Sequence, residues 1–142
     1  MMKKRMIFSL VFFFLSVGIL YAQEIKSLTT AEFQKEIWDF KKEKSFKYPG
    51  DKPIILDLYA TWCPPCKKLS PILANIQKEY GKKLQIYKID VDKEPELAGL
   101  FEASSIPTLV FIPKTGHPFK IVGLRPQEQL EQIITEKLEI KK

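Results

Sequence analysis

Cys63 and Cys66 are the only cysteines among the 142 residues of the chain, and Pro64 and Pro65 lie between them. A structural disulfide here would close a ring of only four residues, which constrains an unfolded chain weakly. A zinc site would need further ligands, and the sequence offers one histidine, His117, and no third cysteine. The pair therefore favours a redox-active dithiol that exchanges disulfides through a thiolate, with no metal bound.

The elements expected around the cysteines strengthen that interpretation. The run 54–59, IILDLY, is short, apolar and rich in branched residues, which predicts a buried strand. Apolar residues then recur with helical spacing at Leu69, Ile72, Leu73 and Ile76. The cysteines thus lie where a strand gives way to a helix, and the positive end of the helix dipole favours a thiolate there. Cys63 is the predicted nucleophile, and Cys66 is expected to be the more buried of the two.

The rest of the chain alternates helices and strands. Thr29 and Glu32 form a capping box for a helix that should end before the turn cluster at 48–51. We further predict a strand over 84–90, a short helix over 92–101, strands over 108–112 and 119–122, and a final helix over 126–138. The order α-β-α-β-α-β-β-α, without an internal repeat, predicts one α/β domain spanning 23–142. Its expected form is a three-layer sandwich, with a mixed central β-sheet flanked by helices.

The first 22 residues differ in composition from the rest. Lys3, Lys4 and Arg5 are followed by an uncharged apolar run over 7–20, and Ala22 offers a small residue for cleavage before Gln23. This pattern predicts a signal peptide over 1–22, cleaved near Ala22-Gln23. The alternative is an uncleaved membrane anchor, although the run is shorter than the roughly 20 residues that span a bilayer. We expect export, to the periplasm if the source is a bacterium.

Charge and composition narrow the functional class. The chain is 45% hydrophobic and 28% charged, and losing the three basic residues of the leader, which has no acidic residue, lowers the net charge from +6 to +3. The lysines are mixed with glutamates, which is typical of a solvated surface and not of a phosphate-binding stripe. We therefore expect no nucleic-acid partner. Outside the cytosol, a disulfide between the cysteines can persist.

Four segments of the chain together resemble the thioredoxin family. They are DLYATWCPPCKKLSP around the cysteines, YKIDVD with its lysine, SSIPTLVFI with its Ile-Pro pair, and IVGLRP with its glycine. The separations agree as well, with 41 residues from Cys66 to Pro107 and 16 from Pro107 to Gly123. The resemblance covers nearly the whole chain after residue 22, and it implies a thioredoxin-like fold.

The resemblance implies a role for each matching residue. Cys63 would attack a substrate disulfide, and Cys66 would resolve the mixed disulfide that results. Asp57, costly inside an apolar strand unless it has a partner or a role, would pair with Lys88 and exchange a proton with Cys66. The residues implied to line a substrate groove are Trp62, Ile106, Pro107 as a cis-proline, and Gly123. A plain structural role stays open for Asp57, Lys88 and Trp62.

The activity implied by the resemblance is thiol–disulfide exchange that reduces protein disulfides without an organic cofactor or a metal. The expected partners are disulfide-containing protein substrates and a reducing electron-donor protein linked to the membrane, and the expected state is a monomer. Two alternatives remain. One is a disulfide oxidase or isomerase, although exported oxidases related to thioredoxin carry a helical insertion for which the 41-residue gap leaves no room. The other is a non-catalytic thioredoxin-fold binding or chaperone module.

The two prolines between the cysteines are expected to tune the redox potential. Pro65 matches the family, whereas Pro64 replaces a frequent glycine, and Tyr59 likewise replaces a frequent tryptophan. Both prolines fix φ near −65°, so the turn into the helix should be stiff. Pro64 also removes an N–H beside the sulfur of Cys63, which would raise the pKa of that thiol and favour a more reducing site.

Overall fold

The structure is a computed structural model that describes residues 24–142. The predicted signal peptide, 1–22, lies outside the described residues. Across the described range, the helices are too short or too polar to cross a bilayer.

Residues 24–142 form five strands and four α-helices, and most of them lie close to the predicted elements. The strands are β1 (Lys26–Ser27), β2 (Ile54–Tyr59), β3 (Gln85–Asp90), β4 (Thr108–Ile112) and β5 (Phe119–Val122). The helices are α1 (Thr30–Glu36), α2 (Pro64–Tyr80), α3 (Pro95–Leu100) and α4 (Gln127–Lys137), with a 3-10 turn at Gly81–Lys83.

The strands form one mixed sheet in the order β1-β3-β2-β4-β5. β1, β3 and β2 run parallel, whereas β4 is antiparallel to β2 and β5 is antiparallel to β4. One face packs against α2 and α4 through a core that includes Ile55, Leu73 and Ile134. The other face packs against α1 and α3 through Phe33 and Leu97. The predicted three-layer sandwich is therefore confirmed.

The first helix is shorter than predicted, because it ends at Glu36 and not near 47. The capping box at its start is present, with the Glu32 N–H donating to the Thr29 hydroxyl and the Thr29 N–H donating to the Glu32 carboxylate. After Glu36 the backbone turns, and Trp38 packs edge-on against Phe46 with their ring centroids 5.3 Å apart. Burial of these aromatic side chains against the sheet outweighs the helical spacing that suggested a longer element.

β1 was not predicted from the sequence. It has two exposed residues, which pair through the backbone with Tyr87 and Lys88 at the edge of β3. An element that short carries no detectable alternation of apolar and polar side chains.

The core places β2 at the centre of the sheet, between β3 and β4. Five of its six residues are buried, as expected for a strand covered on both faces. β2 leads directly into the turn that carries the cysteines, and β4 begins directly after Pro107. The two chain segments that hold the predicted site therefore lie on neighbouring strands.

Candidate active site

Cys63 and Cys66 are joined by a disulfide, and their Cα atoms are 5.3 Å apart. Cys63 is the N-cap of α2, and Cys66 lies in the first helical turn. Their exposed fractions are 3% and 4%, so the expectation that Cys66 is the more buried cysteine is wrong for this oxidised form. Both cysteines belong to one buried cluster with Ala60, against which Ile106 packs.

The first turn of α2 supplies a single backbone donor to the sulfur of Cys63. An N-cap side chain ordinarily accepts a hydrogen bond from the second or third helical residue. Pro64 and Pro65 occupy the first two positions and have no N–H. The N–H of Cys66, at the third position, lies 3.3 Å from the Cys63 Sγ and donates to it. This bond and the positive helix terminus both favour negative charge on the Cys63 sulfur once the disulfide is reduced.

The loop before β4 faces the disulfide. The Ile106–Pro107 peptide bond is cis, and the carbonyl oxygen of Ile106 lies 3.9 Å from the Cys63 Sγ. The N–H of Gly123 donates to the Pro107 carbonyl over 2.8 Å, which ties the end of β5 to this loop. Gly123 has a φ of +91°, a conformation that favours glycine. The structure thus brings Ile106, Pro107 and Gly123 to the cysteines.

Exposed apolar side chains form a rim on the chain segments next to the buried sulfurs. The large hydrophobic side chains exposed within the described range are Trp62 at 65%, Val122 at 44% and Leu124 at 38%. Trp62 immediately precedes Cys63, and Val122 and Leu124 flank Gly123. Apolar area of this kind, beside a chemically active pair, is typical of a surface that binds other proteins.

Trp62 is held by Asp92, a residue that the sequence reasoning missed. The indole Nε1 donates to the Asp92 carboxylate over 2.8 Å. Asp92 lies two residues after the end of β3, and its own N–H donates to the Asp90 carboxylate over 3.0 Å. The sequence DVD at 90–92 could have indicated this contact. The ends of the neighbouring parallel strands β2 and β3 meet at one edge of the sheet, which places Asp92 near the turn that carries Trp62. The bond fixes the orientation of an exposed aromatic side chain next to the nucleophile.

Asp57 is buried on the sheet face that packs against α2, the face it shares with Ile55. Its exposed fraction is 1%, and its Oδ1 has no hydrogen-bond partner. Burial raises the pKa of Asp57 from 3.8 to about 6, and the positive charge of Lys88 opposes the rise. A carboxyl with such a pKa can both accept and donate a proton near neutral pH.

Lys88 is the register neighbour of Asp57 across the parallel β2–β3 pair. Within the described chain, however, no ion pair shorter than 4.0 Å joins the two side chains. The Lys88 Nζ instead donates to the Ser70 hydroxyl at 3.3 Å and lies 4.3 Å from the centre of the Tyr59 ring. Lys88 acts on Asp57 through its charge and not through a direct contact. Sequence reasoning proposed the pairing and missed Ser70.

A pocket of about 510 Å³ opens beside Cys66. It is lined by Tyr59, Ala60, Thr61, Cys66, Lys67, Ser70, Pro71, Ala74 and Lys88. Cys66 therefore lines a pocket to which none of the exposed apolar side chains of the rim contributes. In the part of the chain that the structure describes, no group of three or more His, Cys, Asp or Glu side chains could hold a metal ion.

These residues together can exchange disulfides. The arrangement combines an electron pair donor at a helix N-terminus, a second sulfur within bonding distance, a buried proton acceptor and an apolar docking rim. Every step of thiol–disulfide exchange uses one of these parts.

Comparisons with known proteins agree with this geometry. A family model described as Thioredoxin matches residues 24–136. The thioredoxin of Borreliella burgdorferi is 41% identical over 108 residues, which cover 76% of this chain and 92% of that protein. The thioredoxin of Listeria monocytogenes is 39% identical over 111 residues, which cover 78% of this chain and 95% of that protein.

Solved structures extend the likeness to the fold. A chloroplastic thioredoxin z aligns with a TM-score of 0.67 and 26% identity, over 80% of this chain and 93% of that one. The thioredoxin of Malassezia sympodialis aligns with a TM-score of 0.64 and 27% identity, over 80% of this chain and 90% of that one.

Proposed function

The chain belongs to the thioredoxin family and is a thiol–disulfide oxidoreductase, and from this premise we propose that it reduces protein disulfides after export from the cytosol. The disulfide at the N-cap of α2, facing Pro107 within an exposed apolar rim, is the observation that carries the proposal. It joins a reactive pair to a surface on which another protein can dock.

The reaction begins with the reduced enzyme. The Cys63 thiolate attacks one sulfur of a substrate disulfide, the substrate S–S bond breaks, and the other substrate sulfur leaves as a thiolate that takes a proton. Cys63 and the substrate are then joined in a mixed disulfide. Over these two steps, two electrons pass from the enzyme to the substrate, because the second step joins Cys63 and Cys66 in a disulfide.

The second step uses Asp57. The Cys66 thiol gives its proton to the Asp57 carboxylate, and the Cys66 thiolate attacks Cys63, which releases the reduced substrate. A pKa of about 6 leaves Asp57 largely ionised at neutral pH and thus able to accept the proton. The pocket beside Cys66 gives this side of the disulfide access to solvent.

The substrate segment docks on the rim formed by Trp62, Val122 and Leu124. Since the Ile106 carbonyl lies 3.9 Å from the attacking sulfur, an extended substrate backbone can pair with this loop as an added strand. The N–H of Gly123 already donates to the Pro107 carbonyl, so Gly123 supports the loop.

The reducing direction is supported by what lies between α2 and Pro107. The described chain has only the 3-10 turn, β3 and the six-residue α3 there, and the helical insertion expected for an exported oxidase is not among them. Outside the cytosol the oxidised enzyme needs new electrons, which we assign to a membrane-linked reducing protein. The composition of 1–22 supports export and cleavage near Ala22-Gln23.

The test is reduction of insulin disulfides with dithiothreitol as the electron source. Wild-type protein should accelerate the precipitation of the insulin B chain, and Cys63→Ser should abolish the acceleration because the attacking sulfur is gone. Cys66→Ser should hold substrates in stable mixed disulfides that can be identified by mass spectrometry. Acceleration by Cys63→Ser equal to that of wild type would contradict the proposal and favour a binding module.

A further inference from the structure

Lys88 is the cation nearest in register to Asp57, yet its ammonium group is bound elsewhere. The two residues are direct partners across β2 and β3, and Asp57 has a buried oxygen without a hydrogen bond. An ammonium group beside an unpaired buried carboxylate would normally close on it, because both groups gain from the contact. Here the Lys88 Nζ lies on the Ser70 hydroxyl and over the Tyr59 ring instead.

Both of these contacts belong to the pocket beside Cys66. Ser70 comes from the second turn of α2, and Tyr59 from the last position of β2. Burial, with Asp90 and Asp57 close by, raises the pKa of Tyr59, so the ring that meets the ammonium group is an uncharged phenol. An uncharged aromatic face attracts a cation about as strongly as a hydrogen bond does. The two contacts together can compete with Asp57 for Lys88.

We propose that Ser70 and Tyr59 are positioning residues that hold the Lys88 ammonium group away from Asp57 and so keep the carboxyl available to Cys66. This deepens the proposed function and rests on it. A direct Lys88–Asp57 ion pair would lock the carboxylate in its charged form, and a locked carboxylate is a poor acceptor for the proton of Cys66. Ser70 and Tyr59 thereby tune the second step of the exchange without touching the substrate.

Few other charged groups near Asp57 could change its pKa in the same way as Lys88. From β3 it is faced by Lys88, with Asp90 further along the strand, and from its own strand by Tyr59. On β4 its register partner is Leu109, which does not titrate. From α2 come the cysteine pair and Lys67, which lines the same pocket. Lys88 is the group whose charge lowers the pKa of Asp57, against the rise that burial causes.

The test is the pH titration of the Asp57 carboxyl carbon, followed by ¹³C NMR in the oxidised protein. Ser70→Ala and Tyr59→Leu each remove one contact and free Lys88 to approach Asp57. Each should lower the midpoint of the Asp57 titration by about 1 pH unit, since an opposite charge at contact distance favours the ionised form. Ser70→Thr keeps the hydroxyl and Tyr59→Phe keeps the ring, so both should titrate like wild type.

Repeating the titration in the Lys88→Met variant tests whether the fall in the Asp57 midpoint requires the Lys88 ammonium group. In Lys88→Met, adding Ser70→Ala should leave the midpoint unchanged, because no ammonium group remains to be released. An unchanged or higher midpoint in Ser70→Ala, or the same fall with Lys88→Met present, would overturn the proposal. Ser45→Ala, at an exposed serine outside the pocket, controls for labelling and purification.

Insulin reduction measured on the same samples separates this inference from the proposed function. If wild type reduces insulin and the Asp57 midpoint does not respond to Ser70→Ala, the positioning role alone fails. If the midpoint falls as expected and wild type does not reduce insulin, the proposed direction fails while the contact network stands. When both hold, Ser70→Ala should slow insulin reduction above pH 6, where Asp57 is ionised in both proteins and the carboxylate with the lower pKa is the weaker proton acceptor.

Discussion

At the scale of the residue, the buried carboxyl of Asp57 makes the stability of the fold depend on pH. Its pKa is about 6 in the folded protein and about 3.8 in an unfolded chain, and burial is the main cause. The folded state therefore binds more protons than the unfolded state between these two values. Stability from this group is fully present below pH 3.8 and is lost as the pH rises through 6.

Asp57→Asn removes this titration. We expect the free energy of unfolding of wild type, relative to Asp57→Asn, to fall by about 3 kcal/mol between pH 3 and pH 8, since each pKa unit is worth about 1.4 kcal/mol. Urea unfolding of both oxidised proteins across this range measures the difference. A constant gap between the two proteins would show that Asp57 does not carry a raised pKa.

The prolines between the cysteines lead to a second prediction at this scale. Cys66 supplies the one backbone donor of the first turn to the Cys63 sulfur. Pro65→Ala restores an N–H at the second helical position, where N-cap side chains accept hydrogen bonds. An added donor stabilises the Cys63 thiolate by about 1.5 kcal/mol, which corresponds to a potential about 30 mV more oxidising.

Pro64→Gly is the comparison for that variant. It restores an N–H at the first helical position, which is aimed less well at the N-cap side chain, so its potential should rise by less than that of Pro65→Ala. Equilibration of each variant with glutathione buffers measures both values. If the potential of Pro64→Gly is equal to or lower than that of wild type, the sequence-based expectation that Pro64 makes the site more reducing is refuted.

At the scale of the element, the segment between α1 and β2 depends on close packing around Gly50. A β-carbon on Gly50 would overlap the ring of Tyr48, whose hydroxyl donates to the Lys52 carbonyl over 2.8 Å. Gly50→Ala should displace the ring and cost about 1–2 kcal/mol of stability. Gly99→Ala is the matched control, because Gly99 lies in α3 with open space around its β-carbon.

Thermal unfolding separates the two glycine variants. Gly99→Ala should be neutral or should stabilise by up to about 1 kcal/mol, as expected for glycine replaced within a helix. Equal midpoints for the two variants would indicate that Tyr48 does not pack on Gly50 in solution.

The elements also show which features a sequence pattern can predict. β2, β4 and β5 have the predicted bounds because each is a short apolar or alternating run between turn residues. The early end of α1 was not predictable, since it results from Trp38 and Phe46 packing on residues far away in the chain. β1 was not predicted because two residues that pair only through the backbone produce no alternation of apolar and polar side chains.

The candidate site divides in the same way. The cysteines, Asp57 and Pro107 were found by local spacing and by resemblance to a family. Asp92 and Ser70 were missed because each acts through one hydrogen bond to a side chain on another element. The sequence also could not predict whether Lys88 contacts Asp57 directly. That depends on the contacts of Lys88 with Ser70 and Tyr59, which only the tertiary structure shows.

At the scale of the whole molecule, the proposed export can be tested at the chain's N-terminus. The composition of 1–22 predicts that secreted protein begins at Gln23. Intact-mass measurement of protein recovered from the extracytoplasmic fraction should give the mass of residues 23–142. Recovery of the unprocessed chain in the membrane fraction would instead support an uncleaved anchor.

The direction of electron flow is the central claim, and the reduction potential of the Cys63–Cys66 couple tests it most directly. It is measured by equilibrating the purified protein with thiol–disulfide buffers of known potential and quantifying the oxidised fraction. We predict a value near the roughly −270 mV of reducing thioredoxins. A value near or above about −180 mV, in the range of isomerases and oxidases, would contradict the account, because a difference of that size corresponds to about a thousandfold in the equilibrium constant.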